Sequence, residues 1–307
     1  MKILRTPDSQ FEGLVDWPFE PRYTTIEADD GTPIRIHHVE MGPPDGEPIL
    51  LMHGNPSWSY LHRKMIAPLA ATGRRVIAVD LVGCGRSDKP AARSDYTLAR
   101  HYDWMSKWLE AMQLKHITLY CQDWGGTIGL YLVSRYPERF DRVAISNSGL
   151  PLGEGANWFL AIWTFAMRFA TVYPWFMMRS SSKYAFSKSA MQAFRAPFPS
   201  RAYESALVKF PLLIAVQKNN PGAPLNREAW ARLQTFDKPF LTLFGDLDPV
   251  ARGLDRYMQK RVPGAKGQDH ARLPGVGHFV QEEVPEILVE RLTRFLKQGR
   301  QPEPLAP

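Results

Sequence analysis

The sequence predicts an α/β protein with a mostly parallel central sheet, helices on its faces and one helical insertion. Three observations predict it: strand-like apolar runs alternate with stretches of helical spacing in the first half, the alternation stops beyond Pro151, and it resumes near residue 239. Such alternation places helices on both faces of a parallel sheet. Residues 23–28 and 33–39 read as strands joined through Asp29-Asp30-Gly31, and 48–52 as a strand ending at His53-Gly54. Residues 75–80 form an apolar run suited to a strand covered on both faces, and 98–112 carry apolar residues at helical spacing. Residues 116–121 then read as a strand, 127–136 as a helix stopped by Pro137, and 142–146 as a strand.

The insertion differs in kind. Residues 157–178 are rich in Trp, Phe and Met, and 180–210 read as short helices broken at Ala196-Pro197-Phe198-Pro199. That composition suits a helical cap lying over something. The strand pattern returns at 239–244 and weakly at 270–273, followed by an amphipathic helix at 285–297. The expected organisation is a core of residues 1–150 and 223–307 carrying a cap at 151–222.

With 307 residues, 44% hydrophobic and 22% charged, the chain buries a full core, which excludes the disordered and fibrous classes. Its formal charge is +7, but Lys and Arg are scattered and form no run interleaved with aromatics, so nucleic acid is not an expected partner. No apolar run approaches the ~18 residues of a membrane span, so no membrane partner is expected. Cys84 and Cys121 are the only cysteines and lie in segments that read as interior, so no disulfide framework is expected. A monomeric cytoplasmic protein follows as the expectation.

The strongest local signal is Leu119-Tyr120-Cys121-Gln122-Asp123-Trp124-Gly125-Gly126, a strand entering a helix through a sharp turn centred on Asp123. Such an elbow thrusts its central side chain out at the carboxyl end of a sheet and needs small residues nearby, which Gly125 and Gly126 supply. Cys121 stands where the general motif commonly has Gly. Downstream, Gly245-Asp246-Leu247-Asp248 follows a strand, and Gly275-Val276-Gly277-His278-Phe279 precedes the last helix. The order Asp123, Asp248, His278 matches nucleophile, acid and base in the α/β-hydrolase fold. Asp246 is a nearby competitor for the acid, but the later position suits the turn better. Finally, His53-Gly54-Asn55-Pro56 has the form of a loop whose Asn55 N–H serves an oxyanion hole, with a second N–H from Trp124. Singly, an Asp at a strand end caps a helix and a His-Gly is a turn. Their conjunction, in order and at strand ends, carries the inference. Asp80 reads as structural, pairing with nearby backbone or Arg86.

An Asp nucleophile narrows the chemistry. A carboxylate attacking an acyl group gives only a labile anhydride, so Asp123 points to displacement at saturated carbon, forming an ester that water then hydrolyses. In that second step His278 serves as base, Asp248 fixes its tautomer, and the Asn55 and Trp124 amides hold the oxyanion. No metal or organic cofactor is required. An epoxide leaves as an alkoxide and needs a proton, for which Tyr173, Tyr184 or Tyr203 would serve; a halide needs only N–H donors in a dry site, which suits Trp. Trp124 adjoins the nucleophile, and Trp158, Trp163 and Trp175 are available from the insertion.

Several motifs together resemble those of haloalkane dehalogenases: His-Gly-Asn-Pro-Ser-Trp at 53–58, Gln-Asp-Trp-Gly-Gly at 122–126 and Phe-Leu-Ala-Ile-Trp at 159–163. Ala-Pro-Phe-Pro at 196–199, Lys-Phe-Pro at 209–211 and Gly-His-Phe-Val-Gln-Glu at 277–282 extend the likeness over most of the chain. The resemblance implies a halide held by Trp124 and Trp163, with Trp158 as a competitor and Asn55 lending its amide as in another branch of that family. It implies a small apolar halogenated substrate, water and a halide ion as partners. An epoxide hydrolase with the same triad is the competing reading. A haloacetate dehalogenase is disfavoured, since no Arg follows the nucleophile in Trp124-Gly125-Gly126-Thr127-Ile128. A non-catalytic ligand-binding relative need not keep all three triad positions.

Overall fold

The computed structural model describes residues 1–153, 174–182 and 186–297. Its main sheet is built from β2 (Arg22–Glu27), β3 (Pro33–Met41), β4 (Pro48–Met52), β5 (Arg75–Val79), β7 (Ile117–Gln122), β8 (Phe140–Ser146), β9 (Phe240–Gly245) and β10 (Ala271–Leu273). The spatial order is β10-β9-β8-β7-β4-β5-β3-β2. Strands from β10 to β5 run parallel, while β3 is antiparallel to both β5 and β2. A small ribbon pairs β1 (Ile3–Leu4) with β6 (Lys89–Pro90).

β4, β7 and β9 are buried throughout, which is why they read as unbroken apolar runs. Alternate residues serve opposite faces. Ile49, Leu51, Val76 and Ala78 pack with Met65, Ile66 and Leu69 of α1 (Arg63–Ala70) and with Leu288, Leu292 and Phe295 of the last helix, Pro285–Leu296. Leu50, Met52, Leu119 and Cys121 face the other layer, with Trp104 and Trp108 of α2 (Leu98–Ala111), Ile128 and Leu132 of α3 (Asp123–Arg135) and Trp230 of the helix Ala223–Leu233. Each large apolar side chain so buried stabilises the fold by about 1.5–3 kcal/mol.

The connections create a crevice. After β4 the chain crosses through α1 to β5 on one side, then returns through α2 to β7 on the other. At such a reversal the loops beyond neighbouring strands part, and ligands bind at their carboxyl ends. Met52 is in register with Cys121, and Gln122 with Ser146, so β4, β7 and β8 end at one edge.

Between β8 and β9 the described residues hold the helices Pro174–Ser180, Lys188–Arg195, Ser205–Leu213 and Ala223–Leu233, with no strand among them. Trp158, Trp163, Phe159, Phe165, Phe169, Tyr173 and Tyr184 lie outside the described residues. No helix among the described residues is long and apolar enough to cross a membrane. Helix α3 begins at Asp123, four residues before the expected 127. The glycines that depress its local propensity let it pack closely: a Cβ at Gly125 would overlap the carbonyl oxygens of Met52 and His53.

Candidate active site

Asp123 sits in the left-handed region at φ 51°, between the last residue of β7 and the first turn of α3. A non-glycine residue there is uncommon and is sustained only by surrounding structure. Here Ser148 Oγ donates to the Asp123 carbonyl, and a Cβ at Gly126 would overlap that same Ser148 side chain. Gly129 faces this strand from the helix: a Cβ there would lie 3.0 Å from the Leu119 side chain and in ordinary contact, 3.5 Å, with the Cys121 sulfur.

The loop after β4 approaches Asp123 directly. The Asn55 N–H donates to Asp123 Oδ1 at 2.7 Å, and a Cβ on Gly54 would overlap the carboxylate. His53 anchors this loop in one tautomer: its Nε2 accepts from the Leu81 N–H at 3.0 Å and its Nδ1–H donates to the Gly54 carbonyl at 2.8 Å. Burial holds the His53 pKa below its ordinary value, which keeps the ring neutral. The Trp124 amide lies in the first turn of α3, where backbone N–H groups have no partner within the helix. The Asn55 side chain donates from Nδ2 to the Leu207 carbonyl at 3.2 Å, leaving one amide hydrogen for a ligand.

His278 joins the two carboxylates. Its Nδ1 is 3.0 Å from Asp248 Oδ2, and its Nε2 is 3.5 Å from Asp123 Oδ2. Asp248 is buried, and its carboxylate also accepts from the Val250 N–H at 2.9 Å and the Ala251 N–H at 3.4 Å. Asp246 is exposed and accepts from the Gly275 N–H instead, so of the two acids only Asp248 reaches the imidazole. Burial pushes the His278 pKa down, but the charges and hydrogen bonds of Asp248 and Asp123 outweigh it and raise the pKa to about 10. The backbone of His278 is pinned by its N–H to the Ser181 carbonyl at 2.8 Å and by Asn147 Nδ2 to its own carbonyl at 3.0 Å.

Three contributors gain their roles only from the fold. Asn147, just beyond β8 at φ 41°, donates to the Gly277 and His278 carbonyls and accepts from the Gly245 N–H, tying the end of β9 to the loop that carries His278. Gln122 places its amide 3.0 Å from His278 Nε2. Phe210 packs on the Trp124 ring at 4.9 Å between centroids.

Other candidates resolve differently. The Trp175 indole N–H donates to Glu204 at 3.3 Å and its ring packs on Phe198, so it is not free for a ligand. No described acceptor takes the Trp124 indole N–H. Tyr203 lies in the turn Arg201–Glu204, packed against the core. Asp80 does pair with backbone, the Ser59 and Arg86 N–H groups at 2.7 and 2.8 Å, but its side-chain partner is His37 at 2.6 Å, while the Arg86 guanidinium turns to Asp8. Cys84 and Cys121 are both buried and free. No group of three or more potential metal ligands occurs among the described residues.

An elbow at the switch point, faced by a backbone N–H from one loop and an imidazole backed by a carboxylate from two others, is the architecture of the α/β-hydrolase class. Residues 47–285 match the profile of the alpha/beta hydrolase fold family. Over 306 residues the chain is 46% identical to a haloalkane dehalogenase of Psychrobacter cryohalolentis, covering 96% of this chain and 98% of that protein. A haloalkane dehalogenase of Mycolicibacterium paratuberculosis is 42% identical, covering 95% and 97%. Among solved structures, a tetrameric haloalkane dehalogenase from Paraglaciecola agarilytica superposes with a TM-score of 0.87 at 29% identity, covering 97% and 99% of the two chains. The chain belongs to the haloalkane dehalogenase family.

Proposed function

We propose that this enzyme hydrolyses haloalkanes to an alcohol, a halide ion and a proton through an alkyl ester on Asp123. The observation that carries the reading is the single imidazole of His278 set between Asp248 and the elbow carboxylate. Oδ1 of Asp123 is occupied by the Asn55 N–H, whereas Oδ2 has no amide donor among the described residues. Oδ2 therefore attacks the halogen-bearing carbon, the carbon–halogen bond breaks, and the halide departs with its electron pair. Oδ1 remains as the ester carbonyl. Water then attacks the Asp123 carboxyl carbon while His278 Nε2 takes its proton, and negative charge gathers on Oδ1, which the Asn55 amide already meets and to which this reading adds the Trp124 amide. On collapse the bond between the Asp123 carboxyl carbon and Oδ2 breaks, the departing alkoxide oxygen takes the proton held by His278 and leaves as the alcohol, and the water's second proton is released as the carboxylate is restored.

Loss of the Asp123 charge in the ester matters for the base. With that carboxylate neutralised, one of the two charges that raise the His278 pKa is gone, and the imidazole becomes competent to accept a proton.

Trp124 and Trp163 serve as the halide's indole donors in this reading, with Asn55 lending its remaining amide hydrogen. Residues 151–222 act as the cap on a core of 1–150 and 223–307, in support of which Leu207 meets Asn55 and Phe210 meets Trp124. The two buried free thiols accord with a reducing, cytoplasmic compartment. A monomer is the simplest assembly, though the Paraglaciecola relative is a tetramer; light scattering decides between them. The competing epoxide hydrolase reading is not favoured, because the full-length relatives are haloalkane dehalogenases.

The test is product analysis with 1,2-dibromoethane and styrene oxide. Bromide release without diol formation supports the reading; diol formation alone overturns it. In His278→Ala, one equivalent of bromide and an alkylated Asp123 peptide are expected.

A further inference from the structure

We propose that Gln122 is a positioning residue for the general base: its amide N–H, anchored on the base's own backbone, faces Nε2 of His278 and favours the neutral imidazole. The proposal rests on the reading of Asp123 as nucleophile and His278 as base.

Gln122 ends β7, directly before the elbow, and is fully buried. Its Nε2 stands 3.0 Å from His278 Nε2 and donates to the His278 carbonyl at 3.2 Å, while its Oε1 has no partner among the described residues. The carbonyl contact selects this orientation of the amide. Turned over, the amide would set its oxygen against the His278 carbonyl oxygen, two acceptors in contact. As placed, one N–H meets that carbonyl and the other is directed toward Nε2.

An N–H is complementary to Nε2 only when that nitrogen carries a lone pair. Nδ1–H is meanwhile donated to Asp248, so Asp248 and Gln122 together select the tautomer with its proton on Nδ1. The two act oppositely on charge. Asp248 and Asp123 stabilise imidazolium, and among the described residues they are the charged groups set against the ring. Asn147 and Ser181 meet only its backbone, Phe279 lies edge-on at 5.1 Å, and Glu283 accepts from the neighbouring Gly277 N–H. Gln122 is thus the polar side chain that counters the carboxylates at the nitrogen which must take the proton from water. Hydrogen bonding to the neutral form of a group disfavours its charged form.

The experiment follows the alkyl–Asp123 ester by rapid quench and peptide mass spectrometry through a single turnover of 1,2-dibromoethane, across pH, in the full-length enzyme. Relative to wild type, Gln122→Met is expected to move the acidic limb of ester hydrolysis up by about one pH unit, about tenfold slower on that limb. Gln122→Glu, of the same shape but anionic, is expected to move it further in the same direction. Thermal melts confirm that each variant is folded, and the isosteric Gln122→Glu keeps the test open should Gln122→Met not fold. A limb that stays in place in either folded variant, or moves down in Gln122→Met, overturns the proposal. Absence of any ester in wild type overturns the nucleophile reading itself, and this proposal with it.

Discussion

Nε2 of His278 lies 3.5 Å from Oδ2 of Asp123, a buried imidazole facing the elbow carboxylate. With Asp248 on its other nitrogen, the ring is raised from its ordinary value of 6.5 to about 10, because two carboxylates outweigh burial. A histidine with a raised folded-state pKa contributes stability that is fully present below 6.5 and is lost as pH rises through about 10. Urea denaturation between pH 6 and 10.5 should therefore show wild type losing stability relative to His278→Gln. Parallel curves would contradict the charged ground state.

Asp248 and Asp246 stand two residues apart with different partners, His278 for the first and the Gly275 N–H for the second. Asp248→Asn should lower kcat by on the order of 10³–10⁴-fold, since the imidazole loses both its tautomer and its counter-charge. Asp246→Asn should change kcat by less than about threefold. Steady-state bromide release compares them, and equal losses would remove Asp248 from the acid role.

The indoles separate in a similar way. Trp124 adjoins Asp123 with no acceptor on its indole N–H among the described residues, whereas the Trp175 N–H is held by Glu204. Halide affinity, read from quenching of intrinsic fluorescence by bromide, should fall about tenfold or more in Trp124→Phe and stay at the wild-type level in Trp175→Phe. Weakened halide binding in Trp175→Phe alone would reverse the assignment.

Acid acts through histidines outside the site. His62 and His101 are buried, with both ring nitrogens unpartnered among the described residues, and burial lowers each pKa to about 3. As pH falls from 6.5 toward 3 the unfolded chain binds protons at these rings that the folded chain does not, so stability falls. Asp80 adds a later loss: burial works against its ionisation, but His37 and the Ser59 amide hold its pKa at about 2, so its contribution disappears between about 3.8 and 2. A His62→Gln, His101→Phe double variant should show a shallower stability decline between pH 6.5 and 4 than wild type in the same denaturation assay. A decline as steep as wild type's would show that these rings are not the source.

The parts of the site legible in the sequence are those where chemistry and backbone geometry coincide. Asp123 needs a left-handed turn with small neighbours, so glycines mark it, and Asp248 and His278 must follow strand ends in a fixed order. Gln122 and Phe210 fall within motifs that carry the family resemblance and Asn147 outside them, but no backbone requirement marks the role of any of the three. Each acts through a partner far along the chain, as when Asn147 reaches Gly277 and His278, and only the sheet register brings those partners together. The start of α3 was obscured for a related reason. Gly125 and Gly126 weaken local helix propensity, yet close packing on the loop after β4 holds the helix from Asp123 onward. Trp175 shows the reverse case, a side chain of suitable chemistry whose N–H a distant carboxylate already holds.

A single turnover in H₂¹⁸O with enzyme in excess over 1,2-dibromoethane tests the covalent route most directly. If water attacks the ester at the Asp123 carboxyl carbon, the alcohol carries ordinary oxygen from Oδ2 and the Asp123 peptide gains the heavy label. Labelled alcohol with an unlabelled Asp123 peptide would mean that water attacks the substrate carbon itself, and the account built on Asp123 as nucleophile would be wrong.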